Sequence, residues 1–188
     1  MKFLFLSWPK FYQVCFELAK KIQRDSCRFN QIVAISRGGL VAARILSDLL
    51  NLPISSFTIQ AYSTIGQIKK TKITEKLSVN LKGQNILLVD EISDSGRTLK
   101  RAITYLKNFQ PKKIITAALF YKPGTLIKPD YYFKQVSQWI IFPYEIRETI
   151  QQLTHLWQQK GLKLEEIKRR LLKIGFKRKE IELFIKLV

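Results

Sequence analysis

The sequence predicts an α/β fold with a parallel sheet, and three observations point to it. Short apolar runs rich in β-branched residues, at positions 32–35, 86–89 and 113–120, alternate with stretches whose apolar residues recur at helical spacing. Two of these runs end in polar, glycine-containing turns that lead straight into a helical pattern. Two adjacent acids, Asp90 and Glu91, follow Val89 directly, which places them at the carboxyl end of a strand, where open α/β sheets keep their ligand crevice.

From the N-terminus, residues 2–6 read as a short strand and Ser7 as the N-cap of a helix with Pro9 in its first turn. Phe11, Val14, Cys15, Leu18 and Ile22 recur on one face of that helix, and its aromatic residues read as core. The strand at 32–35 is broken by Ser36, Arg37, Gly38 and Gly39 before an amphipathic helix over 40–50. A strand, a glycine turn carrying a cation and a helix start describe an anion site and an ordinary βα turn equally well. Pro53 precedes another strand at 54–59. Residues 61–82 are rich in Lys and Thr, with apolar alternation at Ile73, Leu77 and Val79.

The segment from Ile86 to Thr98 organises the rest. Val89 is expected to be the last buried strand residue, with Asp90 and Glu91 emerging beyond it. Two neighbouring carboxylates repel each other unless they face hydroxyl donors or a divalent cation. After them Ser95, Gly96 and Thr98 supply hydroxyls and a pliable backbone whose N–H groups can converge on an anion at the start of a helix over 98–109, with Leu99, Ile103 and Leu106 facing inward. The ligand implied carries sugar hydroxyls, a phosphate and Mg²⁺.

Further on, the strand at 113–120 ends in Lys122, Pro123 and Gly124, a turn that fixes a lysine in place. Tyr131, Tyr132 and Phe133 read as an edge strand, and the aromatic-rich run from Trp139 to Glu145 reads as core by composition. A helical pattern follows to about Gln159. Gly161 interrupts it, Leu164, Ile167, Leu171 and Leu172 form a second segment ended by Gly175, and Ile181, Phe184, Ile185 and Val188 form a third. His155, the single histidine, reads as structural.

Composition sets the outer limits. A chain of 188 residues with 46% hydrophobic content supports one domain with a small appendage. Its 33 Lys and Arg against 14 Asp and Glu, a formal charge of +19, favour phosphorylated substrates or polyanionic partners. Cys15 and Cys27 are the only cysteines and suggest neither a disulfide framework nor a metal site, which fits a reducing cytoplasm. Residues 3–6 are too short for a signal-peptide core, and no apolar run approaches the length of a membrane span, so the chain reads as soluble.

The run from Ile86 to Thr98, four apolar residues, two acids, a short variable stretch and a Ser–Gly loop, resembles the signature of the type I phosphoribosyltransferases, which bind 5-phosphoribosyl-1-diphosphate (PRPP). Ser36, Arg37, Gly38, Gly39, Leu40 and Val41 resemble the diphosphate loop of the xanthine-guanine group, with its unusual cis peptide, here between Ser36 and Arg37. The resemblance implies a type I phosphoribosyltransferase fold over 1–150, a central parallel sheet flanked by helices with a small hood, and leaves a basic helical extension over 151–188 beyond it. It implies purine salvage: transfer of 5-phosphoribose to guanine, xanthine or hypoxanthine, with Mg²⁺ as cofactor.

In this picture Arg37 and Gly38 take the diphosphate, with one lysine from a mobile hairpin that closes over the site. Lys69 is the first choice there, and Lys70 and Lys72 serve equally well. Asp90 and Glu91 hold the ribose hydroxyls and the metal. Asp94, Ser95, Gly96, Arg97 and Thr98 cradle the 5′-phosphate. Asp94 lies near purine N7 and assists proton transfer, Lys122 donates to the exocyclic oxygen of the base, and Trp139 and Ile140 belong to the hood over it. The close relatives carry Asp–Asp where this chain has Asp90–Glu91, which leaves the metal's position open.

A homo-oligomer and no membrane partner are implied as well. The extension is unexplained by the resemblance; it reads as a packing or dimerisation element, or as an appendage that binds nucleic acid. A regulatory protein that kept the fold without transferase activity is the alternative, and Asp94 and Lys122 count against it.

Overall fold

The computed structural model describes residues 2–62 and 70–186. Two compact units divide the chain, one formed by Tyr12–Ser137 and the other by Met1–Phe11 together with Gln138–Val188.

The larger unit is built on a six-stranded sheet. Its strands are β2 (Gln31–Ser36), β3 (Ile54–Tyr62), β4 (Lys70–Glu75), β5 (Asn85–Ser93), β6 (Lys113–Tyr121) and β7 (Tyr131–Gln135). They lie in the order β4-β3-β2-β5-β6-β7, all parallel except β4, which runs antiparallel to β3. The apolar runs read as strands are buried on both faces, which is why they lack alternation: Ile32 to Ile35, Ile86 to Val89 and Ile115 to Phe120 are almost wholly inaccessible. Tyr131, Tyr132 and Phe133 do form an edge strand.

Helices α2 (Gly39–Leu50) and α3 (Arg97–Lys107) start directly behind β2 and β5. Leu99, Ala102 and Leu106 of α3 join Val33, Phe57, Leu81, Ile86 and Leu88 in one apolar cluster. The Tyr105 ring lies 5.0 Å from Phe57, and its hydroxyl accepts the Leu77 N–H at 2.9 Å.

Helix α1 (Trp8–Gln23) starts as expected, with the Phe11 N–H bonded to the Ser7 carbonyl at 2.8 Å and the Lys10 N–H near the Ser7 hydroxyl. Its aromatics need a correction. Phe11 is core, but Trp8, Tyr12 and Phe16 are 54%, 51% and 43% exposed, because steps of four residues turn them away from the face of Val14 and Leu18. Burial pushes the Cys15 thiol up to about 12, leaving it a neutral core group.

In the smaller unit, β1 (Phe3–Phe5) pairs in parallel with β8 (Trp139–Ile141). Helices α4 (Ile146–Gln159), α5 (Leu164–Ile174) and α6 (Arg178–Ile185) complete it. Ile141 of β8 shares one apolar cluster with Ile150 and Leu153 of α4, Ile167 and Leu171 of α5, Phe176, and Ile181 and Ile185 of α6. Phe5 packs edge-on against Phe176 at 5.3 Å between ring centres. Leu164 and Leu172, grouped by periodicity with the inward residues, are 43% and 42% exposed. His155 is exposed and pairs with Gln159 at 2.9 Å. No helix among the described residues is long and apolar enough to cross a membrane.

One polar group is stranded in this unit. Thr154 of α4 is fully buried, and its hydroxyl has no hydrogen-bond partner among the described residues. Replacing Thr154 by Val keeps the shape and removes the unmet hydroxyl, so the variant is expected to be more stable by about 1 kcal/mol. Urea denaturation of both proteins measures this; a loss of stability would show that the hydroxyl is satisfied in solution.

Candidate active site

The crevice forms where β2 and β5 part. Their pairing runs from Gln31 opposite Ile86 to Ala34 opposite Val89. Beyond that point β2 stays with β3, Ser36 opposite Thr58, while β5 stays with β6, Asp90 opposite Ala118 through Ser93 opposite Tyr121. The chain winds outward in opposite directions from these two strands, the switch point at which open α/β sheets bind ligands. β5 thus continues four residues past Val89, which corrects the expected end of the strand. Asp90 is a strand residue only 9% exposed, rather than an emerging one.

Two helix N-termini face this gap, each entered through glycine. The Ser36–Arg37 peptide is cis, as the resemblance implies, and the Leu40 N–H closes the turn on the Arg37 carbonyl at 3.1 Å. A Cβ on Gly39 would stand 2.6 Å from the Val89 carbonyl oxygen, so glycine is what lets α2 begin directly against β5. Gly96 starts α3 at φ +75°, and a Cβ there would lie 2.6 Å from the Ile127 N and 2.7 Å from the Thr125 hydroxyl. Both helices present first-turn N–H groups without intrahelical acceptors and the positive end of a dipole.

Side chains from both turns and from the acid pair line one crevice: Ser36, Arg37, Gly38, Asp90, Glu91, Asp94, Ser95, Gly96 and Thr98, with Ile35, Ile59, Ser93 and Leu99. The floor is dry enough that burial pushes the Asp90 carboxyl up from 3.8 to about 7, against the opposing donation from the Glu91 N–H at 2.9 Å. Glu91 is half-buried, and its carboxylate occupies the space that a side chain on Gly38 would need.

Ser93 was missed by sequence reasoning. Its buried hydroxyl donates to the Ile127 carbonyl at 2.7 Å and meets the Thr125 hydroxyl at 2.9 Å, while the Leu126 N–H donates to the Ser95 carbonyl at 3.1 Å. These bonds stitch the 93–96 loop to the segment behind β6. A lone Ser in a polar loop gives no signal of this, because its partners lie 32 and 34 residues away.

Lys122 and Arg97 stand outside the crevice lining. The Lys122 N–H donates to the Ser93 carbonyl at 3.0 Å, which holds this lysine beside the acidic loop, and its ammonium reaches the Ser137 carbonyl at 3.4 Å. Lys69 lies outside the described residues; Lys72 is exposed on β4, opposite Gln60. Trp139 and Ile140 belong to β8 of the smaller unit, the first exposed and the second buried.

Among the described residues no three carboxylate, imidazole or thiol side chains gather closely enough to cage a metal ion. Asp90 and Glu91 nevertheless offer hard oxygen donors. Mg²⁺ commonly takes one or two carboxylates, several waters and the phosphates of its substrate, so the donor set fits an ion that arrives with a phosphorylated ligand.

A doubly wound sheet whose switch point holds two glycine-led helix starts and an acid pair has the layout of an anion-binding α/β protein. The comparisons with known proteins go further. Residues 5–149 match the family model described as the phosphoribosyl transferase domain, and the chain belongs to that family of pentosyl-transferring enzymes. It is 30% identical over 146 residues to the xanthine-guanine phosphoribosyltransferase of Idiomarina loihiensis, covering 76% of this chain and 86% of the relative. The crystal structure of a purine phosphoribosyltransferase from Pyrococcus horikoshii is similar at a TM-score of 0.69 and 33% identity, over 77% of this chain and 95% of that one. The xanthine-guanine-hypoxanthine enzyme of Helicobacter pylori follows at 0.66 and 28%, over 78% and 96%.

The buried acid has a pH signature. Unfolded, Asp90 ionises near pH 4; folded, near pH 7. Between those values the folded state holds the proton that the unfolded state has released, so stability falls as pH rises, and above pH 7 the full penalty is in place. Replacing Asp90 by Asn is therefore expected to leave stability nearly unchanged at pH 4 and to raise it at pH 8 by up to about 4 kcal/mol. Denaturant midpoints of the ligand-free protein at the two pH values test this; equal gains at both would contradict it.

Proposed function

We propose that the chain is a purine salvage phosphoribosyltransferase. It would transfer 5-phosphoribose from PRPP to guanine, xanthine or hypoxanthine, giving the nucleoside 5′-monophosphate and diphosphate. One observation carries this reading: two helix N-termini open onto the same crevice with the acid pair between them. A ligand matched to that layout has a phosphate at each end and hydroxyls in the middle, which describes PRPP.

The 94–98 turn, with Asp94, Ser95, Gly96, Arg97 and Thr98, takes the 5′-phosphate at the start of α3. Arg37 and Gly38 take the diphosphate at the start of α2, joined by a lysine of the 69–72 stretch. Asp90 and Glu91 hold the ribose hydroxyls and, with the substrate, Mg²⁺, which when bound balances the charge of the leaving group. The bond from C1 of the ribose to the diphosphate oxygen breaks and a bond from C1 to purine N9 forms. Positive charge that develops on the sugar during this exchange is stabilised by the surrounding carboxylates.

Asp94, exposed at the crevice mouth, is suited to exchange a proton with purine N7. Lys122, tied to the Ser93 carbonyl, donates to the exocyclic oxygen. Adenine carries an amino group at that place and would set donor against donor, so the proposed contact favours 6-oxopurines. The names of the Idiomarina, Pyrococcus and Helicobacter relatives support a purine acceptor.

Mixing the protein with PRPP, Mg²⁺ and each of guanine, xanthine, hypoxanthine, adenine, uracil and orotate, and following ultraviolet absorbance and diphosphate release, tests the reading. Turnover is expected with one or more 6-oxopurines and with none of the other three bases. Replacing Asp94 by Asn should lower kcat by about 10²- to 10⁴-fold, the range for loss of a positioned proton carrier. Full activity of that variant would remove the role given to Asp94, and silence with every base would remove the function.

A further inference from the structure

Resting on the assignment of the 36–38 turn to the diphosphate, we propose that Glu91 is a latch on that cradle. In the ligand-free protein its carboxylate sits where the diphosphate binds, and it must swing away before the anion can enter.

The placement follows from the strand. Successive residues of β5 point to opposite faces, so Asp90 turns into the dry floor while Glu91 remains half-exposed. From there the Glu91 side chain reaches across to the turn that leads into α2. Both carboxylate oxygens and the carbon between them fill the volume into which a side chain on Gly38 would project. That volume adjoins the positive end of α2, a helix of 12 residues, where a negative charge is stabilised. The start of α2 is thus neutralised by a group of the chain's own.

Reach is the decisive property. An aspartate at this position would end one carbon–carbon bond earlier, about 1.5 Å, and its carboxylate would fall short of Gly38. Glutamate therefore turns the second acid from a bystander of the cradle into its occupant. Incoming diphosphate and the Glu91 carboxylate compete for the same space and repel each other. A divalent cation carried by the substrate gives the displaced carboxylate a new partner, so cation and diphosphate are accepted together and bare diphosphate is held poorly. The latch makes anion affinity depend on the cation more steeply than the charge of the anion alone would.

Calorimetric titration of inorganic pyrophosphate into the wild-type protein and the Glu91→Asp and Glu91→Gln variants, in EDTA and then in excess Mg²⁺, tests this without any turnover. Melting temperatures confirm that the variants are folded. Glu91→Asp keeps the charge and loses the reach. In EDTA it is expected to bind pyrophosphate about tenfold more tightly than wild type, an effect within the range of a carboxylate at a helix N-terminus.

In Mg²⁺ the difference should shrink to about threefold or less, because the cation draws the wild-type carboxylate off the cradle as well. If Glu91→Gln gains affinity while Glu91→Asp does not, charge alone governs the site and the latch is refuted. Equal affinity of wild type and Glu91→Asp in EDTA, alongside binding in Mg²⁺, refutes the latch and leaves the diphosphate site intact. No binding by any protein in either condition removes both.

Discussion

Two parallel strands that stop sharing hydrogen bonds partway along their length are the constraint on which the site depends. β2 and β5 are held together through Ala34 and Val89 and then follow different neighbours. The gap opens because β2 ends at Ser36 and turns into α2, while β5 runs on beside β6 to Ser93. Backbone groups at such a gap must find partners elsewhere, and a polar ligand is one way to supply them. The glycines are a second-order requirement of the same geometry. Gly39 lets a helix start against the Val89 carbonyl, and Gly96 combines a left-handed backbone with contacts that leave no room for a side chain.

Electrostatics follows from that geometry. With 33 basic residues against 14 acidic ones, the chain as a whole attracts phosphates, yet its crevice contains carboxylates. Asp90 is costly there because it is buried, and the cost is met only in part by one backbone N–H. A site that places acids in a dry floor between two anion-binding helix ends is poised for a ligand that carries hydroxyls and a cation as well as phosphates. A cation or a hydroxyl donor placed beside the carboxylate would offset that penalty.

Much of this was legible in the sequence, for definite reasons. The runs around Val33, Leu88 and Ala117 lack alternation because both faces are covered, so their strand character and parallel pairing could be read together. The acid pair and the two glycine turns are local patterns, and local patterns survive without a structure. What escaped was non-local. The end of β5 was misplaced because Asp90 looks like a solvent-exposed residue, and only the pairing of Ile92 and Ser93 with β6 shows the strand continuing. Ser93 and Thr125 hold the 93–96 loop through a contact between residues far apart in sequence. Trp8, Tyr12 and Phe16 were misread because aromatic character suggests burial, whereas helix phase places them on the open face.

The smaller unit draws Phe3 and Phe5 from one end of the chain into the same apolar cluster as Phe176, Ile181 and Ile185 near the other. During synthesis the opening strand therefore emerges long before the residues that cover it, and the whole of Tyr12–Ser137 is made in the interval. The larger unit can collapse around its own sheet while Phe3 and Phe5 wait for the partners that α5 and α6 bring. Residues 3–5 are therefore made before the residues that cover them, and the apolar cluster of this unit closes only once α5 and α6 exist.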